Sequence, residues 1–100
     1  MKSWKDVRPG VVTDETRVTE RRRAMASEAR AYRLAQVRKE RALRQADVAA
    51  AMGVRQPRVS QIENGEIDAT EIATLRSYVE ALGGRLELVA DFGDTQVRIA

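Results

Sequence analysis

The chain has 100 residues, the length of one domain, enough to bury a single core but not two. It is 43% hydrophobic and 33% charged with only 6 Gly and 2 Pro, which favours a helical domain, and 4% aromatics make its core aliphatic. Cysteine and histidine are both absent, which excludes a disulfide scaffold, a Cys/His zinc site, a thiol nucleophile and a histidine-based triad. The net charge is +3, unevenly placed. Residues 1–44 hold 13 Lys and Arg against 6 Asp and Glu; residues 45–100 hold 5 against 9. A basic front and an acidic back suggest an anionic partner for the front, nucleic acid foremost. No apolar run approaches the roughly 18 residues of a membrane span, and the first residues lack a signal-peptide pattern, so a cytoplasmic protein is expected.

Residues 1–13 show no period and carry Pro9-Gly10, a turn signal; they read as a flexible tail containing Trp4. From Asp14 to Ala42 there is neither Gly nor Pro, and Ala, Arg and Glu dominate, which is helix composition. Val18, Met25, Ala29, Tyr32 and Gln36 make a thin apolar stripe, and Leu34 and Val37 lead on toward Leu43. The early turns, with Arg21-Arg22-Arg23, carry too little apolar surface for a large core; the expectation is that they fray in isolation or pack on a partner. The expected divisions are a tail over 1–13, a basic helical arm over 14–33, a central domain over 34–82 and a hairpin over 85–100.

Leu43 to Gly53 reads as a short helix in which Val48, Ala49 and Met52 share a face. Gly53 stops it. A third helix runs from about Gln56 to Glu63, with Pro57 in its first turn, where a missing N–H costs nothing. Val59 and Ile62 face inward, and Asn64-Gly65 ends the helix. A fourth begins near Asp68 or Thr70, where Asp68 and Glu71 have capping-box spacing. Ile72, Leu75, Val79 and Leu82 form its apolar stripe, and Gly83-Gly84 terminates it. The period then changes to two. Leu86, Leu88 and Ala90 alternate with Glu87, Val89 and Asp91; Gly93-Asp94 is a turn; Thr95, Val97 and Ile99 alternate with Gln96 and Arg98. This is a β-hairpin pattern. A lone hairpin is marginal, so it needs a helix beneath it or a second copy beside it.

The stretch from Leu43 to Gly65 has the physics of a helix-turn-helix. Two short helices meet at Gly53, small Ala49 permits their close approach, and Val48, Met52, Val54, Val59 and Ile62 lock the angle. The second helix then exposes Gln56, Arg58, Ser60 and Gln61, which suit base edges in a major groove. The sequence here resembles the Xre/Cro/CI-type, lambda-repressor-like helix-turn-helix family. The resemblance rests on Leu43-x-Gln45-x-x-Val48-Ala49, Gly53-Val54 and Val59-Ser60-x-Ile62-Glu63-Asn64-Gly65, and covers about Leu34 to Leu82. It implies a mainly α bundle that binds operator DNA as a homodimer. Gln45 would touch phosphate and brace Gln56; Gln56 would read a base; Arg58 and Ser60 would lie on or beside the groove; Gln61 and Asn64 would fix the backbone. Arg44 and Arg55 depart from the pattern, standing where the family has Ser or Thr caps. Both become candidate phosphate contacts, as do Arg38 and Arg41 on the preceding helix.

Tyr78 to Ala90 resembles the subset that appends a hairpin to the last helix, many of whose members are HigA-type antitoxins. That resemblance implies a repressor of its own operon that also neutralises a RelE/HigB-like ribonuclease toxin by steric occlusion. Val18, Arg22, Met25 and Ala29 on the arm are the candidate toxin contacts. A stand-alone Xre-type repressor without a toxin is the alternative, followed by a helical protein-interaction module. Asp47, Glu63, Glu66, Asp68 and Glu71 form no metal or acid–base constellation, and the glycines form no phosphate loop, so neither enzyme activity nor a cofactor or metal is expected. DNA-bound protein would lie on the nucleoid.

Overall fold

The computed structural model describes residues 14–100, so the expected tail with Trp4 lies outside the described residues. Four helices and a hairpin follow in order: α1 Asp14–Glu40, α2 Gln45–Met52, α3 Gln56–Glu63, α4 Ile72–Ala81, β1 Val89–Asp91 and β2 Gln96–Arg98. The fold is the expected one, mainly α with a C-terminal antiparallel hairpin. Among the described residues no helix is long and apolar enough to cross a membrane.

The core is aliphatic around one tyrosine. Val48 and Ala49 of α2, Val59 and Ile62 of α3, and Tyr78 and Leu82 at α4 are buried, with Leu34, Val37, Leu43, Met52, Val54, Leu75 and Val79 packed around them. α2 packs on α3 and α4, and α1 packs on α3. The turn between α2 and α3 depends on Gly53, which sits at φ 70. That left-handed conformation lets the N–H groups of Gly53 and Val54 reach the carbonyls of Ala50 (3.2 Å) and Ala49 (3.0 Å), closing the end of α2. Ala42 does the same work after α1 at φ 57, with the Leu43 N–H on the Arg38 carbonyl at 3.2 Å.

α1 is continuous across the expected arm–domain division at 33/34. Its inward face carries Ser27, Ala31, Leu34 and Arg38, spaced by four, three and four residues. The expected stripe of Val18, Met25, Ala29, Tyr32 and Gln36 lies on the opposite face, in solvent. The arm is held by small and polar contacts instead. The Ser27 hydroxyl donates to the Gly65 carbonyl at 2.7 Å, and Arg30 pairs with Asp68 at 3.1 Å. Gly65 lies so close that a Cβ there would stand 3.1 Å from Glu28 Cγ, and its φ is +103. The α1–loop junction therefore requires glycine.

Two local expectations need correction. Asp68 does not cap α4. Residues 65–70 form turns, Glu71 is the N-cap residue without a side-chain cap bond, and Asp68 is occupied by Arg30. The inward stripe of α4 centres on Tyr78 rather than running from Ile72, which is 51% exposed; Leu75, Val79 and Leu82 do pack inward.

The hairpin has the expected turn and shorter strands. Val89 pairs with Arg98, Ala90 with Val97 and Asp91 with Gln96. Bonds beyond the ladder join Leu88 to Ile99 and Ala100, and the Phe92 N–H reaches the Thr95 carbonyl at 2.8 Å across the turn. Alternation places Leu88, Ala90, Phe92, Val97 and Ile99 on one face. Phe92 and Ile99 are exposed, and so is Val97.

Candidate nucleic-acid interface

The expected reading residues gather at the start of α2 and along α3. Arg44 is the N-cap residue of α2 and Arg55 that of α3; neither side chain caps its helix, as expected of arginine. The Arg44 backbone N–H is satisfied by Asp47 Oδ2 at 2.8 Å, and its guanidinium pairs with the same carboxylate at 3.1 Å while remaining largely in water. That guanidinium holds the Asp47 carboxyl below the usual carboxylate range. Gln56 and Gln61 are exposed on α3, Arg58 and Ser60 are half-buried, and exposed Asn64 ends the helix with its amide on Ser60 Oγ at 3.3 Å. The structure thus places Gln56, Arg58, Ser60, Gln61 and Asn64 on one helix and its C-cap, with Arg44, Gln45 and Arg55 at the helix starts beside it.

Gln45 is joined to Gln56, whose Nε2 donates to Gln45 Oε1. The other end of the Gln45 amide donates to Glu63 Oε1 at 3.0 Å. Glu63 is the hub of a buried polar cluster. Arg38 grips it with two parallel bonds, Nε to Oε2 at 2.7 Å and Nη2 to Oε1 at 2.9 Å. The Tyr78 hydroxyl donates to Oε2 at 2.6 Å, and the remaining Arg38 nitrogen donates to the Leu43 carbonyl at 2.8 Å. The side chains of Arg38 and Glu63 are only 9% and 4% exposed. Burial pushes the Glu63 carboxyl up, but the bonds from Arg38, Tyr78 and Gln45 outweigh it and hold the group below the usual carboxylate range. Burial, reinforced by the neighbouring carboxylate, pushes the Tyr78 hydroxyl far above its usual value, so it stays a donor.

This cluster corrects one expectation. Arg38 is not a phosphate neighbour, because it is buried and committed to Glu63. Arg41 lies more open, but its guanidinium donates to the Leu82 carbonyl at 2.9 Å and ties α1 to the end of α4. Sequence reasoning gave Glu63 and Tyr78 no part in the site. A signal was present: Glu63 follows Val59 by four and Arg38 follows Leu34 by four. Each helix therefore places a charge of opposite sign on its core-facing side.

The candidate toxin contacts Val18, Arg22, Met25 and Ala29 are all exposed on the outward face of α1. Val18 and Met25 are 44% and 68% exposed, and Tyr32 extends the same face.

The chain matches the helix-turn-helix domain family over residues 11–91. A Mycobacterium tuberculosis (strain H37Rv) protein named as antitoxin HigA3 is 45% identical over 98% of this chain and 94% of its own length. A second protein of that strain, named as antitoxin HigA2, is 46% identical over 76% of this chain and 75% of its own length. Two solved structures share the fold. One, described as induced DNA bending by unique dimerization of HigA antitoxin, is 53% identical with a TM-score of 0.61, covering 65% of this chain and 85% of that one. The other, described as DNA-bound antitoxin HigA3, is 52% identical with a TM-score of 0.60, covering 66% and 86%. The helix-turn-helix geometry and these similarities together show that the chain belongs to the HigA antitoxin family of helix-turn-helix proteins.

Proposed function

We propose that this chain is the antitoxin of a type II toxin–antitoxin pair. It is a sequence-specific DNA-binding repressor that acts as a homodimer, regulates its own operon and neutralises an RNase toxin of RelE/HigB-like type. The observation that carries this reading is the α2–α3 unit: Gln56 stands exposed at the start of α3, braced by Gln45, on a chain 45% identical to a named antitoxin over nearly its whole length. Two α3 helices of a dimer enter successive major grooves about 34 Å apart. Arg44, Arg55 and Arg58 supply phosphate affinity, and Gln56 with Ser60 supplies choice. The hairpin is the dimerisation element, because among the described residues no helix packs closely on its apolar face, which leaves Phe92, Val97 and Ile99 exposed. The outward face of α1, with Val18, Arg22, Met25 and Ala29, is the toxin contact, and it acts by occlusion rather than chemistry.

The test is co-purification with the product of the neighbouring reading frame, followed by a salt-titrated mobility shift on the shared promoter DNA. The expected result is a stable complex that cancels the partner's growth arrest, together with promoter binding that weakens as salt rises. Promoter binding without such a partner would leave a stand-alone repressor. Gln56→Ala is expected to cost about 1–3 kcal/mol at one base pair. Unchanged operator choice in that variant would remove Gln56 from the reading set.

A further inference from the structure

We infer that Glu63 is a positioning residue for base selection, acting through Gln45 to fix which way the Gln56 amide faces the groove. The inference rests on the reading of α3 as the DNA-reading helix. A carboxylate can only accept hydrogen bonds. Glu63 accepts four, two from Arg38 and one each from Tyr78 and Gln45. The Arg38 fork and the Tyr78 hydroxyl set the plane of the carboxylate and leave Oε1 directed at α2. Only the NH2 end of the Gln45 amide can meet it there. A flipped Gln45 would set oxygen against oxygen beside a buried charge.

That constraint passes outward. With its NH2 on Glu63, Gln45 turns Oε1 toward α3, where it needs a donor. Gln56 Nε2 supplies one. Gln56 is then left with one free N–H and its Oε1, in a fixed order. A glutamine without such a tether can rotate its amide by half a turn and offer donor and acceptor in either order. The order matters because base edges differ in just this respect. Adenine sets a donor beside an acceptor, whereas guanine presents two acceptors. A buried ion pair thus fixes the polarity of a surface side chain two links away. Tyr78 and Arg38 serve the same end by holding the carboxylate still.

The experiment is selection from duplexes of about 20 base pairs with randomised half-sites. It uses the full chain and its Gln56→Ala, Gln45→Met, Glu63→Gln and double Gln45→Met/Glu63→Gln variants. Gln45→Met keeps side-chain length and leaves the Arg38–Glu63–Tyr78 cluster in place. Gln56→Ala identifies the base pair that Gln56 reads. At that pair Gln45→Met and Glu63→Gln are each expected to lower selectivity about tenfold, with other positions and the salt dependence unchanged. The double variant is expected to lose no more than Gln45→Met alone, because both act through one amide. Retained selectivity at that pair in Gln45→Met would overturn the proposal. So would a uniform loss at every position, or a further loss from Glu63→Gln in the Gln45→Met background. If melting curves show that Glu63→Gln does not fold, Gln45→Met decides alone. A wild-type selection with no position sensitive to Gln56→Ala would overturn the reading of α3 itself, and the proposal with it.

Discussion

The helix-turn-helix body and its two extensions treat apolar side chains in opposite ways. In the body, Val48, Val59, Ile62 and Tyr78 are sealed from water, and every charge that enters is paired. In the extensions, Val18, Met25 and Tyr32 on α1 and Val89, Phe92, Val97 and Ile99 on the hairpin stand in solvent. Exposed apolar residues scattered singly are ordinary, but here those of α1 fall on one face, and Phe92, Val97 and Ile99 fall on one face of the hairpin. The body is complete as one chain. The extensions leave apolar faces open, and the functions proposed for them need other chains.

The contrast breaks most severely at the buried pair. Glu63→Ala leaves Arg38 charged, buried and without its carboxylate partner. The expected loss is about 3–5 kcal/mol of stability, read as a drop in the denaturant midpoint. Tyr78→Phe removes one of four bonds to Glu63 and is expected to cost about 1.5–3 kcal/mol, the range for a hydrogen bond to a charged group. Acid should act through the same carboxylate. Its folded pKa lies below the ordinary range, so its contribution is complete above that range and is lost as the pH falls through it and below. In Glu63→Gln this segment of the stability–pH curve should flatten. An unchanged acid limb in that variant would show that Glu63 does not govern it.

The body was legible because its signals are local and redundant. Gly53, Pro57 and Asn64-Gly65 punctuate the helices, and the spacing of Val48, Ala49, Val59 and Ile62 agrees with the turn between them. Reading Gln45 as the brace for Gln56 also agrees with the hydrogen bond between them. The inward face of the arm was not legible because it is not apolar. Ser27, Ala31 and Arg38 turn inward while Val18, Met25 and Tyr32 turn out, so a search for hydrophobic period finds only the outward side of the helix. The Asp68–Glu71 spacing reads as a cap, but α4 begins only at Ile72, and Asp68 lies in the preceding turn, where it pairs with Arg30. Glu63 and Tyr78 were missed for a related reason. Their partners stand 25 and 15 residues apart along the chain, beyond the reach of any motif.

The hairpin tests the other half of the comparison. Ile99 is 68% exposed in the single chain, so Ile99→Asp should leave the body's melting transition in place. In the proposed dimer the same residue lies in the interface. Losing the burial of one such side chain costs about 1.5–3 kcal/mol per copy. Sedimentation equilibrium over a concentration series should therefore show the variant dissociating where the parent remains dimeric, and promoter binding should weaken with it. A dimer as tight as the parent's would move the interface off the hairpin.

The finest discrimination uses one substitution at two neighbouring sites on α1. Ala31 is fully buried against the body, and Ala29 is exposed on the outward face. Both are helical, and alanine to leucine changes helix propensity little at either position. Ala31→Leu forces extra methylenes into a contact with no space and should cost about 1–3 kcal/mol. Ala29→Leu meets only water, so its effect on stability should lie within about 0.5 kcal/mol. The two thermal melts, run side by side, measure how far the body extends along the arm. Equal losses would mean that the outward face is packed in the isolated chain, leaving no free surface there for a toxin. With the expected split, Ala29→Leu becomes the sharper probe, because any change it makes in toxin affinity comes from the interface and not from the fold.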